Sequence, residues 1–149
     1  MTLMKKEGTN MITGFEGICL YVRNQDEALD FYVNKLGFEK RVDVQGGPDF
    51  RWVTVSPPGN QGIEITLYRP GAQDGEEQAQ RWLSLVGQHP RWAFTTDDCH
   101  ATYEELRSRG VHFLSSPSEM PYALEGVTIE ALLEDLYGNV VVLHEKRPR

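Results

Sequence analysis

"FEGICLYVRNQDEALDFYVNKLGF", Phe15 to Phe38, sets a strand directly ahead of a helix. Phe15–Val22 alternates large apolar with small or polar residues, the pattern of a strand with one buried face. Asn24 and Glu27 then have the spacing of a capping box at a helix start. Leu29, Tyr32, Val33 and Leu36 fall at i, i+3, i+4 and i+7, a single apolar face, and Gly37 is placed to close the helix as its C-cap. Three more strands are predicted at Phe38–Val44, Phe50–Val55 and Gly62–Tyr68, separated by the turns "QGGPD" and "SPPGN". The order is β-α-β-β-β.

The same order returns further along. "RWAFTTDD" predicts a strand running into an Asp-rich helix cap. Cys99, Tyr103 and Leu106 make one helix face, and Gly110 closes it before the "VHFLS" strand. "GVTIEALLE" and "NVVVLHE" supply the last two strands, and "KLGFEKR" and "SRGVHFL" are matching helix-to-strand junctions. A duplicated unit of this kind is more specific than any single motif in the chain. Between the copies, a polar linker carries a helix expected at about Gly75–Val86, with Ala79, Trp82, Leu83 and Val86 on its docking face. The chain therefore reads as a mobile N-terminus, 1–11, and one domain, 12–146. Its parts are a first module at about 12–69, a linker with helix at about 70–89, and a second module at about 90–146.

Composition bounds the function. Apolar residues make up 40% and charged residues 25% of 149 residues, as in an ordinary globular domain. No apolar run is long enough for a membrane span, and the first residues lack the apolar segment of a signal peptide. Net charge is −7 with no basic stripe, which argues against nucleic acid and against an anionic membrane as partners. Acidity is compatible with a cationic ligand, although solubility alone accounts for it. Cys19 and Cys99 stand far apart in no metal-like spacing, so a reduced, cytoplasmic protein is expected.

The motifs "ICLYVRNQDEALDFYVNKLGF", "FRWVTVSPPGNQGIEITL", "DDCHATYEELRSRGVHF" and "DLYGNVVVLHE", together with the order of elements, resemble the vicinal oxygen chelate superfamily. These are the glyoxalase, bleomycin-resistance and extradiol-dioxygenase proteins, and the resemblance spans roughly Ile12 to Glu145. It implies an α+β fold in which two βαβββ modules form a curled mixed-sheet cup, with helices outside and the ligand within. It also implies a homodimer, which exposed sheet edges would favour.

Strand alternation gives a separate indication of what faces the cup, because successive side chains point to opposite sides of a sheet. Ile18, Leu20, Val22, Ile63, Ile65, Leu67, Trp92, Phe94, Val141 and Leu143 form an apolar row expected to pack on the helices. The other row holds Gly17, Cys19, Tyr21, Glu64, Thr66, Tyr68, Arg91, Ala93, Thr95, Val140, Val142 and His144, as a cavity lining should. Trp52, Tyr122 and Phe50 can add aromatic walls. Glu130 and Glu134 share a strand face; either can serve as a general base, but solvated strand carboxylates are commoner.

Metal-dependent relatives use four side chains, and the resemblance carries those positions onto Gly17, Glu64, Arg91 and Val142. Only Glu64 can be a ligand there, since glycine and valine lack donors and guanidinium repels a cation. No metal and no other cofactor is therefore expected. A displaced set of Glu64, His144 and His89 is the alternative. A second possibility is that Arg91, held by Glu64, supplies the positive charge a metal once gave and grips an anionic ligand group; a structural ion pair is the plainer reading. Glu145, on the opposite face from His144, is expected to be solvated.

Two functions follow. One is a small-molecule-binding protein that sequesters a small organic ligand in a degenerate, metal-free cup. The other is an enzyme, whether lyase, isomerase or dioxygenase, acting through Arg91 and Glu64 or through a displaced metal site. Fold alone does not choose between them.

Overall fold

The computed structural model describes residues 11–59, 62–121 and 126–148. All but the last residue of the N-terminal segment 1–11, and Tyr122, lie outside the described residues. The first module runs β1 (Gly17–Tyr21), α1 (Gln25–Leu29), β2 (Glu39–Gln45), β3 (Arg51–Ser56) and β4 (Glu64–Tyr68). The linker carries α2 (Glu76–Leu83), and the second module runs β5 (Trp92–Thr95), α3 (Cys99–Ser108), β6 (His112–Glu119), β7 (Val127–Glu134) and β8 (Val140–Arg147). Each module makes an unclosed four-stranded mixed sheet, ordered β1-β4-β3-β2 (sheet 1) and β5-β8-β7-β6 (sheet 2). The first strand of each pairs parallel with the last, and the other pairings are antiparallel.

Local chemistry explains the helix ends. Asn24 caps α1 by accepting from the Glu27 N–H at 2.9 Å. The reciprocal half of the expected capping box is supplied from the other module: Tyr137 Oη accepts from the Asn24 N–H at 3.1 Å and donates to Glu27 Oε2 at 2.8 Å. Beyond Leu29 the helix widens into a π-helical segment, Asp30–Lys35, and Gly37 leaves it at φ 83°. Gly110 does the same for α3 at φ 87°, and both positions lie where a side chain would be strained. The linker helix is shorter than its apolar pattern suggests. After Leu83 the N–H groups of Leu85 and Val86 bond three residues back, to Trp82 and Leu83, which tightens the last turn out of α-geometry.

The apolar rows of both sheets converge on one core. Leu20, Leu67, Val53, Leu133, Val141 and Leu143 are all buried, together with Phe31 and Tyr32 from the first helix and Leu106 from α3. Aromatic contacts stitch the modules across it, Tyr32 to Trp92 at 6.5 Å and Phe38 to Phe94 at 5.2 Å between centroids. Because alternate residues face opposite ways, the inner row of each sheet points away from this shared core.

One buried carboxylate ties the arrangement together. Asp135, in the β7–β8 turn, accepts from Tyr32 Oη at 2.6 Å, the Asn139 side-chain amide at 2.8 Å, and the N–H groups of Tyr137 and Asn139 at 2.8 and 2.9 Å. Asn139 Oδ1 in turn accepts from the His89 N–H at 2.9 Å, which anchors the end of the linker. Glu145 is not solvated as expected. It accepts from the Cys99 N–H at 2.8 Å and so caps α3, because β8 carries it to the helix side of sheet 2. Burial, followed by the charge of Glu145, pushes the Cys99 thiol up, which disfavours its thiolate.

Removing Asp135 strands the Tyr32 hydroxyl and the Asn139 amide in the interior. Asp135→Ala should cost about 3–4 kcal/mol, and Tyr32→Phe about 1 kcal/mol, in urea unfolding monitored by circular dichroism. Alkaline pH gives a second test. Burial and then the Asp135 charge raise the Tyr32 phenol; burial, opposed by a backbone bond and aided by Glu27, pushes Tyr137 up to about 12. Unfolded tyrosines ionise near pH 10. The stability these phenols give is therefore complete below pH 10 and is lost as pH rises from 10 towards 12. The slope should be shallower in Tyr137→Phe; an unchanged slope would count against this assignment.

Candidate functional site

Register arranges the inner face of sheet 1 into rows. Gly17 pairs with Glu64, Cys19 with Thr66 and Thr66 with Thr54, and Tyr21 with Tyr68. A cavity of about 400 Å³ opens on this face, lined by Glu16, Gly17, Cys19, Trp52, Thr54 and Glu64 among others. Val53 and Val55 are wholly buried in the core, so alternation turns Trp52 and Thr54 inward to the cavity. Thr54 is 2% exposed, and its Oγ1 has no hydrogen-bond partner among the described residues.

The aromatic end of the same face is covered. Trp82 of α2 stacks on Tyr21 at 5.6 Å and 16° and meets Tyr68 edge-on at 6.4 Å. Tyr68 donates to Asp74 Oδ1 at 2.5 Å, which pins the linker's start to β4. Phe50 continues the aromatic run, 6.0 Å from Tyr68 and 6.1 Å from Trp52. Tyr21 and Tyr68 thus form the floor under α2, Tyr21 also bordering a small pocket of about 140 Å³ beside Leu85 and His89. Trp52 and Glu64 remain on open cavity wall.

On sheet 2 the inner row is built differently. Thr95, His144 and Glu130 stand side by side across β5, β8 and β7, and His144 Nε2 lies 2.9 Å from Glu130 Oε2. Val142 is buried between Ala93 and Leu132, its register partners. Arg91 is exposed just ahead of β5, and no ion pair joins it to Glu64 among the described residues. His89 turns to its neighbour, Nδ1 lying 2.6 Å from Pro90 O, and its ring packs 4.5 Å from Trp92.

The donors at the family's metal positions do not fit a metal centre. Glu64 offers one carboxylate, Val142 none, and Arg91 a permanent cation. Gly17 has no room for a replacement, since a Cβ there would run into the carbonyl oxygen of Glu64. The displaced set does not assemble either: among the described residues no three His, Cys, Asp or Glu side chains gather, and His144 is engaged by Glu130.

Sequence reasoning missed three parts of this site. Thr54 had a polar side chain inside an otherwise apolar strand as its only signal. Glu130 was read only as sharing a strand face with Glu134, without its partner His144, which cross-strand register alone reveals. The linker helix was expected to dock, but on no particular surface. A larger cleft, about 770 Å³, lies where Pro57–Gly59 approaches β5 and α3. Its walls are the flanks of core residues such as Leu133 and Leu143, and two of its three hydroxyls, Thr96 and Thr102, pair with each other at 2.7 Å.

The Glyoxalase/Bleomycin resistance protein/Dioxygenase superfamily model matches residues 14–143. An uncharacterized protein of Shewanella frigidimarina is 38% identical over 135 residues, covering 88% of this chain and 94% of its own. Among solved structures, UcmS2 is 31% identical with a TM-score of 0.76, covering 91% of this chain and 100% of its own. TnmS3, an antibiotic binding protein from Streptomyces sp. CB03234, is 27% identical with a TM-score of 0.69, covering 92% of this chain and 98% of its own. Among the described residues no helix is long and apolar enough to cross a membrane.

The Gly17 contact yields a direct test. Gly17→Ala should separate β1 from β4 and lower stability by about 1–3 kcal/mol, with amide exchange speeding up along Gly17–Tyr21. Wild-type exchange and stability in that variant would mean that the strands tolerate a side chain there.

Proposed function

The chain belongs to the Glyoxalase/Bleomycin resistance protein/Dioxygenase superfamily, and we propose that within it this protein binds and sequesters a small organic molecule, without a metal ion, on the inner face of sheet 1. The observation that carries this reading is the open cavity of about 400 Å³ walled by Trp52 and floored by Thr54. Such a concavity, mostly preformed and with few polar groups, is the usual form of a small-ligand site. TnmS3, a structural neighbour, is an antibiotic binding protein, which supports binding in place of chemistry. The donor set discussed above supports a metal-independent site.

A homodimer belongs to the same reading. Both inner faces turn away from the chain's own core, and β1 and β5 each end a sheet, with one edge unpaired among the described residues. Ahead of β1, Met11 and Ile12 are each 90% exposed and Phe15 is 65% exposed, an apolar arm suited to burial against a second copy. Both cysteines are free thiols, which suits a reducing, cytoplasmic setting.

A thermal-shift screen of fused-ring aromatic compounds, run with and without EDTA, tests the binding claim. A ligand at a hundredfold its Kd adds about 2.7 kcal/mol, so the melting temperature should rise by roughly 5–10 °C, equally in both buffers, and Trp52→Ala should weaken the binder about tenfold or more. Binding that vanishes with EDTA and returns with a divalent ion would contradict it. Light scattering should give twice the chain mass, falling to one chain in Ile12→Asp/Phe15→Asp.

A further inference from the structure

The inner face of sheet 1 is graded chemically from end to end. Aromatic rings stand at the α2 end, hydroxyls and a thiol in the middle, and carboxylates at the other end, with Glu16 flanking Glu64. Successive rows on one face are about 7 Å apart. Two independent features point to what this surface takes. Among the described residues the charged groups lining the cavity are Glu16 and Glu64, and neither carboxylate has a hydrogen bond or ion pair through its side chain. Thr54, on the same face and among the lining residues, has a buried Oγ1 with no partner among the described residues, and a buried hydroxyl costs stability until something pairs with it.

We propose that the ligand class of this cavity is an aromatic amine in its protonated form. Its ring lies against Trp52, a hydrogen-bonding atom reaches Thr54 Oγ1, and its ammonium group meets Glu64, with Glu16 adding to the field. This rests on the reading of the cavity as a binding site. Among the described residues an anionic ligand would meet two carboxylates and no compensating cation, since Arg91 lies outside the lining. A purely apolar ligand would leave Thr54 unpaired. A charge-assisted contact to Glu64 is the strongest polar interaction the surface can offer.

Three probes with one ring and three charges separate these cases: tryptamine, tryptophol and indole-3-propionate, titrated into the full chain by NMR. Tryptamine should bind at least about tenfold tighter than indole-3-propionate, with tryptophol between them. Glu64→Gln should narrow that spread to about twofold while leaving tryptophol unchanged, and Glu16→Gln, outside the strand, should narrow it by less. Thr54→Val should weaken all three probes by about threefold or more. Equal affinities, a preference for the propionate, or a spread that survives in a folded Glu64→Gln variant would overturn the proposal. Tryptophol binding that Trp52→Ala abolishes, without any preference for the amine, would sink the amine while leaving the cavity as a binding site. Binding of none of the three would sink both.

Discussion

Four hydrogen bonds converge on the Asp135 carboxylate, and the relation of the two modules depends on them. A buried carboxylate is stable only when its acceptor sites are filled. Here they are filled by a phenol from the first helix and by donors from the β7–β8 turn itself. The turn is therefore fixed to the helix, and Asn139 passes the constraint on to the linker at His89. Tyr137 repeats the logic at the surface, completing the cap of α1 from the opposite module. With the modules locked helix-side to helix-side, their apolar rows share one core.

That packing determines what is left for function. Each sheet has one face committed to the core and one turned outward, and the two outward faces are not alike. On sheet 2 the face is closed in on itself, with His144 paired to Glu130 and Val142 buried among its register partners. On sheet 1 the linker helix covers the aromatic end and leaves the hydroxyl and carboxylate rows open. Thr54 Oγ1 and the two carboxylates lie there, while the other buried polar atom without a partner among the described residues, Trp92 Nε1, belongs to β5 of sheet 2. The larger cleft beside β5 is walled mainly by core side chains, and two of its hydroxyls, Thr96 and Thr102, pair with each other.

The duplicated β-α-β-β-β order and most of the split between apolar and inner rows were legible in the sequence, because strand and helix periods are local properties; Ile63, expected in the apolar row, is instead 40% exposed just ahead of β4. Leu20, Ile65 and Val141 went where their parity sent them. The Glu64–Arg91 pairing did not appear among the described residues, because it required the two sheets to bring their first corners together. The packing of helix faces at the core sets that geometry, and no local pattern records it. Asp135, quoted only as part of a motif, is a buried acceptor; Glu145 read as solvated and is a helix cap. In both cases the partner lies on an element distant in sequence, so the role exists only once the chain has folded.

The central claim is that ligands enter on the inner face of sheet 1. Its most direct test is to map backbone and indole N–H shifts in the assigned chain as an aromatic ligand is added. Perturbations should centre on the Trp52 indole and on Cys19, Thr54 and Thr66. Perturbations centred instead on Phe94, Thr95 and Leu106, around the larger cleft, with the Trp52 indole unmoved, would contradict it.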